Sequence, residues 1–188
     1  MSRPGTPGTQ PGTPTGLPAA HAPGSYRIEL VCLGNICRSP TAHVVLEQRV
    51  EDAGLDRFVE VSSSGTGDWH VGGPMDRRAA ATLTEAGYDA TRHRARQHDP
   101  GSEVDLVLVM DDANLADVGG RSDRVGKFRD FDPVEPGGDV PDPYYGGADG
   151  FEEVLAMVER TASALVDALR REQPWADRAR DDRGTPTP

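Results

Sequence analysis

Two cysteines lie five residues apart in the segment Cys32-Leu33-Gly34-Asn35-Ile36-Cys37-Arg38-Ser39-Pro40. This segment has the pattern C-x5-R-S, and it follows an apolar run and precedes a helical pattern. A loop that leads from a strand into a helix N-terminus points successive backbone N–H groups inward and so binds anions. Gly34 and Asn35 tolerate the unusual dihedral angles that such a loop requires. The spacing therefore predicts a phosphate-binding loop with a thiol at its centre, whose N–H donors come from Leu33, Gly34, Asn35, Ile36, Cys37, Arg38 and Ser39.

The side chains of this loop predict nucleophilic chemistry on a phosphate group. Arg38 has a planar guanidinium that can bind two phosphate oxygens. The loop donors favour the thiolate form of Cys32, and Ser39 could donate a hydrogen bond to it. The same donors would stabilise the charge that spreads over a phosphoryl group during transfer. We therefore predict that Cys32 attacks phosphorus and forms a cysteinyl-phosphate intermediate.

Other interpretations of these residues are open. Cys32 could be a buried core cysteine and Arg38 a solvated helix residue, because cysteine is among the most buried residue types. A zinc site would need more ligands, since C-x4-C is accompanied by no second cysteine pair and no nearby histidine pair. A Walker-type loop is excluded because the sequence contains no GK[ST]. The predicted chemistry requires no metal and no cofactor, since Arg38 and the backbone supply the positive field.

The departing group needs a proton donor, and the candidate is Asp142 in the segment Asp142-Pro143-Tyr144-Tyr145-Gly146-Gly147. Cleavage of an aryl phosphate releases a phenolate whose conjugate acid has a pKa of about 10, so a general acid should protonate it. The same carboxylate would then activate water against the intermediate. An Asp before Pro is held extended, and the glycines of 137–150 predict a mobile flap. The alternative is an ordinary acidic turn, because 132–149 holds several acids.

Trp69, Tyr144 and Tyr145 are aromatic residues in polar surroundings that could wall a slot for a phenyl ring. Each residue alone is more often explained by simple packing. Near an anion-binding loop, however, the three together favour an aryl phosphate over an alkyl phosphate. A deep slot would put the loop beyond the reach of the shorter Ser or Thr side chain. The predicted substrate is therefore phosphotyrosine.

The composition limits the class of protein. A net charge of -11 argues against a nucleic-acid-binding protein, which usually has a basic face. Two cysteines are too few for a disulfide framework. No apolar run approaches the roughly 18 residues of a membrane-spanning helix, and the N-terminus lacks the apolar region of a signal peptide. We therefore expect a cytoplasmic protein that binds neither nucleic acid nor membrane.

The elements that must position these residues alternate along the chain. Strands are predicted over Tyr26–Leu33, Phe58–Ser63, Val104–Met110 and Val125–Phe131, and helices over Pro40–Ala53, Asp76–Ala86 and Phe151–Arg170. This alternation predicts a parallel α/β sheet with right-handed crossovers and a site beyond the carboxyl ends of the strands. Residues 1–25, rich in Pro, Gly and Thr, are expected to be disordered, and 173–188 to form a flexible tail. The predicted domain is then 26–172.

The segments CLGNICRSP and DPYYGG resemble those of the low-molecular-weight protein-tyrosine phosphatases, most of all the actinobacterial, and thus bacterial, members of that family. The similarity extends over most of 26–172, and Ser62–Ala79 is similar to the family's segment that bears the pocket aromatic, which falls on Trp69. The resemblance implies a three-layer α/β fold, in which helices flank both faces of a four-stranded parallel sheet of order 2-1-3-4.

Position by position, the resemblance implies that Cys32 is the nucleophile, Arg38 the phosphate clamp, Asp142 the proton donor and Ser39 the thiolate stabiliser. It implies that Asn35 holds the loop through a polar network with Ser63 and His93. Tyr144 and Tyr145 match the family's paired tyrosines, which line the pocket and can be phosphorylated. Cys37 matches a second loop cysteine that can trap oxidised Cys32 as a reversible disulfide.

The chain departs from the family in three places, one of which is a region interrupted by His98 and Asp99 that does not align closely with the family. It has Thr41-Ala42-His43 where the family often has Met-Ala-Glu, and we expect this difference to affect the helix surface and not the chemistry. The 25-residue N-terminal extension has no counterpart in the family pattern.

Two rival functions use the same fold. Arsenate reductases need further cysteines to pass electrons outward by disulfide exchange, whereas both cysteines here lie in the loop. A non-catalytic phosphotyrosine-binding module would lack the nucleophile, the acid or the arginine, and all three are present. We therefore predict a protein-tyrosine phosphatase that acts on phosphotyrosine-containing proteins and releases inorganic phosphate.

Overall fold

Four parallel strands form the central sheet of the computed structural model, which describes residues 16–147 and 149–176. The strands are β1 (Tyr26–Cys32), β2 (Val59–Gly65), β3 (Leu106–Val109) and β4 (Val125–Lys127). They lie in the order β2-β1-β3-β4, with every neighbouring pair parallel. The predicted sheet order 2-1-3-4 is thus confirmed.

Helices cover both faces of this sheet. The helices are α1 (Arg38–Asp52), α2 (Arg77–Glu85), α3 (Asp112–Asp117) and α4 (Asp149–Glu172). Helices α1, α2 and α4 contribute to the larger apolar core together with one face of β1 and β3. A smaller cluster of Val31, Val107 and Val109 packs on the other face against residues of α3 and β4. The predicted three-layer α/β architecture is confirmed.

The central strands are buried on both faces, as expected for a parallel sheet covered by helices. Every residue of β3 is buried, and in β1 the exception is Arg27. Helix α4 buries the face that carries Val154, Val158, Leu165 and Leu169, whose spacing follows the helical period. Burial of this apolar stripe fixes α4 across α1 and leaves the carboxyl ends of the strands free for a site.

The fourth strand is shorter than predicted. It ends at Lys127, and Phe128–Phe131 forms a 3₁₀ helix instead of continuing the strand to Phe131. The carboxylate of Asp130 accepts a hydrogen bond from the backbone N–H of Lys127 at 2.8 Å, which turns the chain away from the ladder. The six-residue helix α3 was not predicted, because it is too short to show a helical period in the sequence.

The segment 16–25 packs on the domain, which corrects the expectation of disorder for this part of the extension. Leu17 is buried, and its backbone N–H donates to the carboxylate of Glu172 at 2.6 Å. His21 contacts the buried carboxylate of Asp105 through both its backbone N–H, at 2.6 Å, and its ring Nδ1, at 2.7 Å. A few specific anchors thus outweigh a composition that is typical of disorder. Residues 1–15 lie outside the described residues.

The start of the predicted C-terminal tail is also packed. Trp175 is buried and stacks on Phe58, with ring centroids 5.3 Å apart and planes 6° from parallel. Its carbonyl accepts a hydrogen bond from Gly24 at 2.9 Å, so this tail and the N-terminal segment hold each other. The expectation of flexibility is corrected for 173–176, and 177–188 lie outside the described residues. Over 16–147 and 149–176, no helix is both long enough and apolar enough to cross a lipid bilayer.

Candidate active site

The C-x5-R-S segment forms a tight loop between a strand and a helix. Cys32 is the last residue of β1, and Arg38 is the first residue of α1. Between them Asn35 adopts a φ of 53°, in the left-handed region that asparagine tolerates better than most residues. This turn directs the Asn35 backbone N–H at the Cys32 Sγ, at 3.3 Å. The Asn35 N–H therefore points at the sulfur, and inward donation by the other loop N–H groups stays a prediction.

The Asn35 side chain joins this loop to β2 and to the loop that follows α2. Its Nδ2 donates to the Ser39 Oγ at 2.9 Å and to the Ser63 Oγ at 3.1 Å. Its Oδ1 accepts the backbone N–H of Arg96 at 2.9 Å. Its backbone carbonyl accepts a hydrogen bond from the Nε2 of His93 at 2.7 Å. The structure thus brings Asn35, Ser63 and His93 together and adds Arg96, which the sequence reasoning missed.

Ser39 lies directly beneath the sulfur. Its Oγ is 3.0 Å from the Cys32 Sγ and 3.1 Å from the backbone carbonyl of Ser64. A serine hydroxyl has one proton, which these two acceptors compete for when the sulfur is ionised. Because a thiolate can only accept, Ser39 is placed to donate to it.

Arg38 lies at the floor of the site with 4% of its surface exposed. One amino group donates to the carboxylate of Asp111 and, at 3.2 Å, to the carbonyl of Val140, and the other donates to the Asp142 Oδ2 at 3.3 Å. Burial alone would lower the pKa of Arg38, but the hydrogen bond to Asp111 and the nearby Cys32 and Asp142 raise it. The guanidinium is therefore charged and fixed in orientation beside the sulfur.

Asp142 lies at the mouth of the site on a short turn. It precedes a 3₁₀ helix over Pro143–Tyr145, and its Oδ1 accepts the backbone N–H of Tyr144 at 3.1 Å. Its side chain is 37% exposed, so the carboxylate faces both Arg38 and solvent. This part of the predicted flap forms a hydrogen-bonded turn, and its mobility stays a prediction. Arg78 holds it by donating to the Tyr144 carbonyl at 3.1 Å and by lying over the Tyr144 ring, 5.3 Å from its centroid.

A pocket of about 290 Å³ opens above the sulfur. Trp69 and Tyr145 are its exposed aromatics, with 62% and 91% of their surfaces accessible, and Tyr144 lines it with its ring centroid 5.0 Å from that of Tyr145. The structure therefore collects the three predicted aromatics around one cavity. His70, which was not predicted, also lines it, with its ring 6.1 Å from that of Trp69. The full lining is Cys32, Leu33, Gly34, Ile36, Cys37, Arg38, Trp69, His70, Asp142, Tyr144 and Tyr145.

The second loop cysteine, Cys37, is a free and buried thiol that also lines the pocket. Burial, with a further contribution from the carboxylate of Asp76, raises the pKa of Cys37 to about 12. Cys37 is therefore neutral at pH 7, and it does not compete with Cys32 as a thiolate.

Three further residues support the site and were not predicted from the sequence as parts of it. Asp111 follows β3, and the rule that functional groups follow the carboxyl ends of parallel strands could have found it. Gly65 pairs with Cys32 across β2 and β1, and a Cβ there would lie 2.7 Å from the Leu33 carbonyl. The sequence predicts that His43 affects only the helix surface, but its Nδ1 lies 3.2 Å from the Ser63 Oγ, so that expectation is corrected. Only the folded chain shows that α1 turns His43 towards β2.

A sulfur seated in a loop of donors, beside a buried guanidinium and below a carboxylate, defines the class of cysteine-dependent phosphatases on a parallel α/β fold. The family model described as low molecular weight phosphotyrosine protein phosphatase matches residues 27–174. The chain therefore belongs to the low molecular weight phosphotyrosine protein phosphatase family.

Individual relatives agree with this assignment. A low molecular weight protein-tyrosine-phosphatase of Streptomyces coelicolor is 46% identical over 158 residues, which cover 79% of this chain and 96% of the relative. Low molecular weight protein-tyrosine phosphatase A of Mycobacterium tuberculosis is 43% identical over 148 residues, which cover 74% of this chain and 89% of the relative. The crystal structure of a protein tyrosine phosphatase from Entamoeba histolytica superposes with a TM-score of 0.74 at 29% identity, covering 79% of this chain and 99% of that one.

Proposed function

We propose that this protein hydrolyses phosphotyrosine in proteins and releases inorganic phosphate. The observation that carries the proposal is the convergence of Cys32, Arg38 and Asp142 on one aromatic-walled pocket. Family membership supports the same reaction. The roles of the individual residues follow from their places around this pocket.

In the first step, the Cys32 thiolate attacks phosphorus. A sulfur–phosphorus bond forms while the bond from phosphorus to the tyrosine oxygen breaks, and that oxygen keeps the bonding electrons. The loop N–H groups and the Arg38 guanidinium bind the three non-bridging oxygens. Protonated Asp142, at the pocket mouth, donates its proton to the departing phenolate.

In the second step, water attacks the cysteinyl-phosphate. Asp142 is now ionised and takes one proton from the water as its oxygen bonds to phosphorus. The sulfur–phosphorus bond breaks, and its electrons return to Cys32 as the thiolate. Ser39, whose Oγ is 3.0 Å from that sulfur, stabilises the leaving thiolate by donating a hydrogen bond to it. Inorganic phosphate then leaves, and Asp142 has recovered the proton that the next cycle needs.

The pocket supports an aryl substrate. Trp69, Tyr144 and Tyr145 offer ring faces and edges above the sulfur, where a phenyl ring would stack. A phosphoserine side chain is shorter than phosphotyrosine, so its phosphate would stop short of the loop. We therefore infer that phosphotyrosine is preferred over phosphoserine.

The chemistry also supports a reducing compartment. Cys32 must be a free thiolate to attack, and both Cys32 and Cys37 are unpaired. We infer from this that the protein acts in the cytoplasm.

The decisive experiment replaces the nucleophile. Cys32→Ser should abolish turnover of a phosphotyrosine peptide and of p-nitrophenyl phosphate, while the variant still binds inorganic phosphate. Cys37→Ser is the matched control and should retain turnover, because the neutral Cys37 thiol takes no part in either step. Turnover retained by Cys32→Ser would refute the assignment. Arsenate reduction coupled to thioredoxin, without hydrolysis, would favour the reductase function instead.

A second experiment tests Asp142. Asp142→Asn should lower turnover of phosphotyrosine by about a hundredfold or more, because the phenolate departs unprotonated. With p-nitrophenyl phosphate, whose leaving group needs no proton, the first step should slow far less. Single-turnover kinetics on both substrates separate this step from hydrolysis of the intermediate. Equal losses in the first step would contradict the role of Asp142 as the general acid.

A further inference from the structure

His43 reaches the supporting network of the phosphate loop from the helix that follows the loop. It lies on α1 four residues after Ser39, so the two side chains share one face of the helix. This face packs on β2, where the Ser63 Oγ is 3.2 Å from the Nδ1 of the partly buried His43 ring. Ser63 itself is buried, with 2% of its surface exposed. His43 is therefore in hydrogen-bond contact with a residue that already binds Asn35.

The directions of the hydrogen bonds in this network are fixed by a backbone group. The N–H of Arg96 can only donate, so the atom of the Asn35 amide that it contacts at 2.9 Å must be the oxygen. The Asn35 Nδ2 then donates its two protons to Ser39 and Ser63. Since the Ser63 oxygen accepts from Asn35, its own proton needs an acceptor. The structure supplies the Nδ1 of His43.

This direction requires a neutral His43 ring with no proton on Nδ1. Burial is the main cause that lowers the pKa of His43 to about 4, and the nearby charges of His93, Arg96 and Arg92 act in the same direction. A backbone hydrogen bond to Val61 opposes them. The remaining charged residues of the adjoining cleft are Glu47, Glu60, Asp89 and Arg94. At pH 7 the ring is therefore neutral, as the network requires.

We propose that His43 is a positioning residue of the phosphate loop: its Nδ1 accepts a hydrogen bond from the Ser63 hydroxyl and so keeps Asn35 aligned with Ser39 and Cys32. The proposal rests on the proposed function, because the alignment matters for catalysis only if Cys32 is the nucleophile. Without an acceptor, the Ser63 hydroxyl loses its fixed orientation. Asn35 then loses one of the three side-chain hydrogen bonds that hold it in the loop, which are those with Ser39, Ser63 and Arg96.

The test is a double-mutant cycle between the two residues, with p-nitrophenyl phosphate as substrate so that leaving-group protonation plays no part. His43→Leu leaves the buried Ser63 proton without its acceptor and should lower kcat about tenfold with a smaller change in KM. Ser63→Ala should lower kcat to a similar extent. The double variant should be no slower than Ser63→Ala alone, because His43 acts only through Ser63. His43→Asn, which places an acceptor near the position of Nδ1, should recover part of the loss.

The matched control is Gln48→Leu on the same helix, where the exposed Gln48 side chain bonds Asp52 at 3.0 Å. Its kcat should equal that of the wild type. Multiplicative losses in the double variant would overturn the proposal, since they would mean that His43 contributes by packing alone. Wild-type kcat in His43→Leu would overturn it as well.

A spectroscopic measurement on the wild-type protein keeps the proposal testable if a variant fails to fold. Long-range ¹H–¹⁵N correlation spectra at pH 7 should show His43 neutral, with its proton on Nε2 and none on Nδ1. A proton on Nδ1 would overturn the proposal. Failure of the proposed function is a separate outcome, because it would appear as absent turnover in the wild type while the His43 tautomer was still as expected.

Discussion

The stability of the folded chain should depend on pH through His43, and His43→Asn should remove that dependence. The ordinary pKa of histidine is about 6.5, and in the fold the pKa of His43 is about 4. Between these values the unfolded chain binds a proton that the folded chain excludes. The free energy of unfolding therefore falls as the pH falls from about 7 towards 4. Above about pH 7 the ring is neutral in both states and the effect vanishes.

The size of the effect follows from the two pKa values. At pH 4.5 nearly all of the unfolded chains carry the proton on His43, whereas a minority of folded chains do. At about 1.4 kcal/mol per pKa unit, the destabilisation at pH 4.5 relative to pH 7 is about 2 kcal/mol after allowance for partial exposure of the ring. That loss is a substantial part of the stability of a typical domain.

The assay is urea denaturation of wild type and His43→Asn at pH 7 and pH 4.5, followed by tryptophan fluorescence. The lowered pKa of His93 acts in the same direction as that of His43, whereas the raised pKa of His98, paired with Glu29, acts in the opposite one. Both histidines are present in each protein, so the difference between the two proteins isolates His43. The slope of the free energy on urea concentration should be unchanged. Equal losses of stability in both proteins would refute the reasoning.

Three further predictions concern residues around the domain. Trp175→Ala should lower the free energy of unfolding by about 3 kcal/mol, because it removes a buried ring that stacks on Phe58, while kcat stays at the wild-type value; urea denaturation and steady-state kinetics check both parts. Gly65→Ala should lower kcat at least tenfold, because the new Cβ would lie 2.7 Å from a backbone carbonyl of the phosphate loop and would displace that carbonyl. The affinity for inorganic phosphate should fall together with kcat. Arg78→Ala should lower turnover of phosphotyrosine severalfold more than that of p-nitrophenyl phosphate, because it frees the turn that carries Asp142.

Each of these predictions has a contradicting result. Loss of kcat in Trp175→Ala would mean that the packed tail reaches the site by a route that the contacts do not show. Wild-type kinetics in Gly65→Ala would mean that the loop tolerates a shift of β2. Equal effects of Arg78→Ala on both substrates would mean that the turn held by Arg78 does not control protonation of the leaving group.

The parts of the fold and site that the sequence predicted are those set by short-range pattern. The C-x5-R-S spacing places Cys32 and Arg38 at the two ends of one loop, so their proximity needs no knowledge of the remaining chain. The alternation of apolar runs and helical periods likewise determines a parallel sheet with the site at the carboxyl ends of its strands.

The parts that could not be predicted depend on contacts between distant segments. Asp111 is 73 positions from Arg38, and its role as a partner of the guanidinium follows from the adjacency of β3 and β1. His43 faces β2 only because of the rotation that packing imposes on α1. The composition of 16–25 predicts a disordered linker, and this prediction is wrong. Contacts of Leu17 and His21 with carboxylates distant in the sequence anchor the segment to the domain.

The mutual packing of 16–25 and Trp175 has a practical consequence for how the enzyme can be handled. Both segments lie at the amino ends of the strands, whereas the sulfur lies at the carboxyl end of β1. The length of β1 puts about 20 Å between the two segments and the sulfur. A fluorophore or a tether to a sensor chip attached at residue 16 or at residue 176 would therefore leave from the rear of the domain. An immobilised enzyme would still present its catalytic opening to large phosphoproteins, and captured substrates could be screened without steric interference from the support.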